Sequence, residues 1–442
     1  MLKRVRIQGY KSFQDLDVEL EPLSVLFGPN ASGKSNFLDA LQLLSRTVRG
    51  DGLQNAFKPP HRGKPIESFT LTAEGTRGLL NQEVVAFTLE VDVQLGPAIV
   101  DAVNGEIRQI DGRAPVVRGG PGVEVVPSES GPAYVTENHL RYSLRVEMAP
   151  RKASLRVAAE SLVALDDSGV PKSDVAPFIE TFDDGRLRVR AERGTLDREF
   201  DAGSPHNVLS QLLYPPHFPH LTAIRREMLQ WNVYYFEPRE RMRSTSMLKE
   251  VHGLGLMGED LDCYLYSLRE TSPSQFASFE RALRMLVPSV SGVDVGVNDS
   301  GEVELKVIEG KTPIPARVLS EGTLRIMGIL ALQGINHPPY LVGLEEPENG
   351  VHPRRIQLIA EMLKTRSSCE DTQYIVTTHS PLLLDQMPRE SLFVCRKVDG
   401  KTTIEPLASL GPLGEKTDIE DFLNAESELS VSERALRGDF DA

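Results

Sequence analysis

The run Gly28-Pro29-Asn30-Ala31-Ser32-Gly33-Lys34-Ser35 constrains this chain more than any other feature. It fits the pattern G-x-x-x-x-G-K-[ST], and an apolar run, LSVLF, leads into it. Glycines let the backbone curl so that its N–H groups point inward. The helix that follows adds its positive N-terminal end, and together they form a cradle for phosphate oxygens. Lys34 has the reach to meet β- and γ-phosphates, and the Ser35 hydroxyl suits Mg²⁺. Asn36 is counted with the cradle residues. The segment NFLDALQLLSRTV carries apolar residues at helical spacing, so a strand–loop–helix unit of an α/β fold is expected.

Three further elements lie far downstream. YLVGL (340–344) reads as a buried strand and ends in Glu345 and Glu346. Such a strand delivers two carboxylates to the C-terminal edge of a sheet, where ligands bind in open α/β folds. One carboxylate can hold Mg²⁺ through water; the other can orient or deprotonate an attacking water. QYIVTTHSP (373–381) is a second buried strand ending in a polar turn, with His379 where a γ-phosphate would lie. Ser320, in LSEGT (319–323), is a natural N-cap, and the helix start behind it is another anion site. Alone, each has a plainer reading: a solvated acidic loop, a structural histidine, a helix cap. Beside the glycine-rich loop they form a set.

The rest of the chain sets the boundaries. At 442 residues, 40% hydrophobic and 25% charged, it has the composition of an ordinary globular protein of two or three units. Cys263, Cys369 and Cys395 lie far apart, which argues against a disulfide framework or a zinc ribbon. The N-terminus lacks a secretory pattern and no apolar run nears the ~20 residues of a membrane span. The expectation is a cytoplasmic protein without a membrane partner. A net charge of -14 requires that any nucleic-acid contact use a local basic surface. Arg186, Arg188 and Arg190, and Arg239, Arg241 and Arg243, alternate and are candidates for one; neutralisation by neighbouring acids is the alternative. Gly253 to Gly258 matches GxGxxG, but no strand leads into it and helices follow, which argues against a dinucleotide site.

In order, the four elements resemble the Walker A, signature, Walker B and His switch of an ABC-type ATPase. IQGYKSFQDLDVEL is similar to the opening of RecF- and SMC-type ATPases. SEGTLRIMGILAL and LEEPENGVHP resemble ATPases of prokaryotic defence loci and the ATPase half of OLD-family nucleases. The resemblance covers about 250 residues, in blocks near 1–95 and 235–400. It implies an α/β ABC-ATPase head: a P-loop NTPase with a mixed sheet flanked by helices. It implies that Gly28 to Ser35 bind ATP and Mg²⁺, that Glu345 is the magnesium-side acid, and that Glu346 is the catalytic base. Residues 348–352 would take the D-loop position crossing to a partner subunit. Ser320 and Gly322 would meet the γ-phosphate held by another subunit, and His379 would sense that phosphate. Gln211 is a candidate Q-loop residue. LSEGT in place of LSGGQ, and Glu345 in place of Asp, resemble the RecF/OLD side rather than transporter domains.

About 285 residues separate Lys34 from Ser320, too many for a transporter domain, and no heptads fill the gap as in a full SMC protein. Four regions are expected: residues 1–96 and 231–410 as the halves of the head, 97–230 as an inserted β-rich and helical region, and 411–442 as an acidic tail. Strands are expected at LKRVRIQG, LDVEL, SFTLTAE, VVAFTLEVDV, RYSLRVEM, ASLRVAA, RLRVRAE and SLFVCRK, with a loop at 51–65. No second acidic cluster follows His379, so the Toprim half of an OLD protein is not expected. The functional expectation is an ATP-gated homodimer or higher oligomer in DNA-linked defence or repair. It would act on DNA or through a separate effector protein. An ATP-dependent scaffold without turnover, a transporter subunit and a nuclease with an unrecognised site are the alternatives.

Overall fold

The computed structural model describes the chain except for residues 60, 114–132, 194–196, 202, 212, 252, 333–338, 370–371, 410–429, 439 and 441–442. The chain divides into two compact units. Met1–Leu20, Asn36–Trp231 and Val398–Thr403 form the first; Glu21–Ser35, Asn232–Lys397 and Ile404–Ala442 form the second.

The first unit is built on an antiparallel sheet of eight strands. Their spatial order is Phe13–Glu19, Leu2–Tyr10, Val85–Gln94, His139–Ala149, Ser154–Ala164, Ile179–Thr181, Arg186–Val189 and Arg198–Asp201. Strict alternation explains its faces. Phe87, Leu89 and Val91, and Leu140, Tyr142 and Leu144, point into the core. The intervening positions carry charges that pair across strands, as in Arg4 to Asp17 and Arg141 to Asp92 (2.6 Å). The strands of the β-rich middle of the chain thus extend the sheet that begins at Leu2.

Several local expectations need correction. SFTLTAE is not a strand: it makes only the isolated bridges Tyr10 to Phe69 and Thr72 to Gly75, because the chain turns back at Gly75, whose φ is 61°. The 51–65 loop contains the short helix Leu53–Ala56. Residues Pro97–Arg113 form a helix, and Ile99, Val103 and Ile107, four residues apart, bury its inner stripe. The acidic tail carries a helix among its described residues. Val431–Arg437 is a helix opened by a Ser430/Glu433 capping box, while 410–429 lie outside the described residues.

Glu160 is a buried acid in this unit. It is fully buried on Ser154–Ala164 and accepts hydrogen bonds from Tyr142 Oη (2.8 Å) and Val208 N (2.7 Å). Burial outweighs these bonds and pushes its pKa up to about 7 from 4.5, a shift worth about 3 kcal/mol. Between those values the folded chain keeps a proton that the unfolded chain has released, so stability falls as pH rises. His61 runs the other way. Burial lowers its pKa to about 4 from 6.5, so its contribution is lost as pH falls across that window. Glu160→Gln is therefore expected to remove a decline in stability between about pH 5 and 7.5. Denaturant titrations of both proteins across that range would check it. An unchanged pH profile in the variant would refute the assignment.

The second unit holds the core of a six-stranded sheet. Leu341–Glu345, Gln373–Thr378, Leu23–Phe27 and Leu392–Val398 run parallel in that spatial order, with Trp231–Tyr234 and Lys401–Pro406 at the edges. The inner strands LSVLF and QYIVTT are buried along their whole length, as strands covered on both faces must be. Parallel order brings the C-terminal ends of all four to one edge. A smaller antiparallel sheet combines Ser246–Met247, Glu302–Glu309, Val290–Val297 and Thr312–Pro315. Helices Leu261–Thr271 and Pro273–Leu286 pack in the same core. Cys263 and Cys395 are free, buried thiols. No helix among the described residues is long and apolar enough to cross a membrane.

Candidate active site

The glycine-rich loop leaves the end of Leu23–Phe27 and enters the helix Lys34–Thr47. Gly28 (φ 148°), Ala31 (φ 64°) and Gly33 (φ 109°) supply the left-handed turns that curl it. At Gly28 a side chain is excluded, because a Cβ would stand 2.1 Å from the Cys395 carbonyl oxygen. Lys34 is buried, and its Nζ donates to the loop's own carbonyls, Gly28 O at 2.8 Å and Pro29 O at 2.9 Å. Burial lowers its pKa, while the fields of Cys395, Glu346, Glu345 and Glu348 oppose that change.

The acidic pair lies at the same edge. Ser35 Oγ donates to Glu345 Oε1 at 2.5 Å, which joins the P-loop to the end of Leu341–Glu345. Glu346 has φ 46°, a left-handed conformation that a side-chain-bearing residue adopts only under constraint. Its amide is held by Thr377 O at 2.9 Å. Its carboxylate takes His379 Nδ1 at 2.9 Å and the Asn349 side-chain amide. Glu346 and His379, 33 positions apart, therefore form one unit at the end of adjacent parallel strands.

Ser320 caps the helix Glu321–Ala331 through Thr323 N at 3.1 Å and stays exposed. Gly322 lies against residues 350–351, where a Cβ would meet Gly350 O at 2.1 Å; only glycine permits that approach. Glu348 opens the segment expected to take the D-loop position. It is buried and accepts the Thr378 hydroxyl of its own chain, and burial raises its pKa. Asn36 groups with the first unit, where its Nδ2 donates to Ser12 Oγ at 2.9 Å. Gln211 lies in the first unit, just past the 3-10 turn Val208–Ser210. Most of the candidate basic residues have partners. Arg186 pairs with Asp184, Arg188 with Glu180, Arg239 with Glu321 and Arg241 with Glu237; Arg243 donates to Leu319 O.

The family described as "AAA ATPase domain" matches residues 1–83, and "AAA domain, putative AbiEii toxin, Type IV TA system" matches residues 223–385. An OLD nuclease from Thermus scotoductus is 39% identical over 406 residues, covering 90% of this chain and 62% of that protein. The DNA replication and repair protein RecF of Acaryochloris marina is 25% identical, covering 63% and 76%. In fold, the chain is similar to an Smc head solved with the C-winged helix domain of ScpA: TM-score 0.50, 12% identity, covering 91% of this chain and 96% of that one. These matches support an SMC/RecF/OLD-like P-loop ATPase. The chain spans less than two thirds of the OLD nuclease it matches.

Two groups in this ATPase head escaped the sequence reading. Arg325, on Glu321–Ala331, is half-buried. Burial lowers its pKa against the opposing fields of Glu348, Glu321, Glu346 and Glu345, and its Nε has no hydrogen-bond partner among the described residues. Thr378 Oγ1 accepts Ser380 N at 2.9 Å while donating to Glu348, so it braces the turn that carries His379. Arg325 sits one turn after Glu321, a spacing that reads as an ordinary surface pair. Only the fold turns it toward the acidic cluster.

Proposed function

We propose that this chain binds ATP with Mg²⁺ and hydrolyses it, and that hydrolysis gates a dimer with a DNA-linked role. The observation that carries the reading is the joining of Ser35 to Glu345 and of Glu346 to His379 at one sheet edge. The donor set fits magnesium, a hard cation commonly held by a hydroxyl, one carboxylate, phosphate oxygens and water. Ser35 and Glu345 would hold the ion, which would offset phosphate charge. Lys34 and the N–H groups of the loop would take the β- and γ-phosphate oxygens in place of the loop carbonyls that Lys34 now meets. Glu346 would accept a proton from the attacking water as the new P–O bond forms and the bond to ADP breaks. His379, bonded to Glu346, would orient that carboxylate and meet the γ-phosphate.

Ser320 and Gly322 would complete the ATP site of a second copy. Relatives named for DNA replication, repair and nuclease action support a DNA-linked output, in defence or repair, with effector chemistry in a separate chain. The dimer is tested by mixing two inactive variants, Glu346→Gln and Ser320→Arg. If one copy supplies the acid and the other the signature, the mixture recovers part of the lost phosphate release. A mixture as inactive as its components would overturn the shared site.

A further inference from the structure

A cavity of about 240 Å³ opens in the second unit, away from the P-loop cluster, and nothing in the ATPase reading uses it. Its walls come from the 242–245 turn, the start of helix Leu261–Thr271, the middle of Glu302–Glu309 and residues 315–317. Met242, Val303, Leu305 and Ala316 give it an apolar floor.

Its acids are already engaged. Asp262 accepts Ser246 N at 2.7 Å and Cys263 N at 2.8 Å, and Glu304 is paired with Lys306 at 2.8 Å. Its guanidiniums are less satisfied. Arg243 spends one nitrogen on Leu319 O at 2.8 Å, while its Nε is buried without a hydrogen-bond partner among the described residues. Arg317 stands exposed on the same lining. Two guanidiniums beside this floor match a small organic anion, and planar forks favour phosphate oxygens.

We propose that this cavity is a second ligand site, for a small phosphomonoester, and that it reports to the signature helix. Arg243 is the link, because the carbonyl it holds belongs to the residue before Ser320. A phosphate drawn to Arg243 competes with Leu319 O and loosens the loop that sets the Ser320 cap. The site is independent of ATP turnover, so it stands or falls separately from the function proposed above.

The test is calorimetric titration of the full chain with ribose 5-phosphate, inorganic phosphate and ribose, repeated in Lys34→Ala to silence phosphate binding at the P-loop. The expected result is binding of ribose 5-phosphate that survives Lys34→Ala, exceeds that of inorganic phosphate, and is absent for ribose. Arg317→Gln, at an exposed position, weakens it at least about tenfold, the loss of one charge-assisted contact. Hydrogen exchange at residues 318–324 rises when the ligand binds. No binding, or binding abolished by Lys34→Ala and indifferent to Arg317→Gln, would overturn the proposal. Binding without a change at 318–324 would overturn the link to the signature helix.

Discussion

Glu346→Gln is expected to lower ATP hydrolysis by roughly 10²–10⁴-fold, the range for loss of a general base, while ATP still binds. The substitution keeps the size of the side chain and the contact with Asn349, but removes the charge that would accept the water's proton. Binding should persist because Lys34, Ser35 and Glu345 are untouched. Rapid-quench measurement of ADP formation beside equilibrium ATP binding separates the two effects. Turnover close to that of the unaltered protein would remove Glu346 from the chemistry, leaving its left-handed backbone and its bond to His379 without that role.

Gly28→Ala should be nearly as damaging, through geometry instead of charge. Its Cβ would stand 2.1 Å from Cys395 O, and backbone on both sides of that clash has little room to give. With φ at 148°, a side chain adds strain of about 1–3 kcal/mol. The loop must shift, which releases Lys34 from the carbonyls of Gly28 and Pro29. The expected result is a lower melting temperature together with loss of most ATP affinity. Cys395→Ala would not rescue it, because the obstructing atom is a main-chain oxygen. A variant that melts and binds ATP like the parent would show that the loop is not held against Leu392–Val398 as described.

The parallel strands and the P-loop were legible because their signals are local. LSVLF and QYIVTT are unbroken apolar runs, and the glycine pattern fixes its own neighbourhood. Glu345, Glu346 and His379 read as strand-end residues, but the direct bonds of Ser35 to Glu345 and of Glu346 to His379 come from tertiary placement. What stayed hidden was decided by tertiary placement. SFTLTAE alternates like a strand, yet the turn at Gly75 withholds it from the sheet. Pro97–Arg113 has a helical stripe that its glycine and polar residues obscured. Glu348 lies in the polar run PENG, and folding buries it on Thr378. Arg325 looks like one more charged helix residue until folding half-buries it in the field of Glu348, Glu346 and Glu345. The basic runs at 186–190 and 239–243 illustrate the converse: alternation aligned the arginines, and acids elsewhere in the fold claimed most of them.

The central claim, an ATP-hydrolysing head built from Lys34, Ser35, Glu345 and Glu346, is tested most directly by phosphate release from ATP. The purified chain would be assayed with and without Mg²⁺ and linear duplex DNA. The account predicts release that requires Mg²⁺ and rises when DNA is added. Release indifferent to DNA would contradict the DNA-linked role. Absence of release in every condition would contradict the claim of an autonomous ATPase.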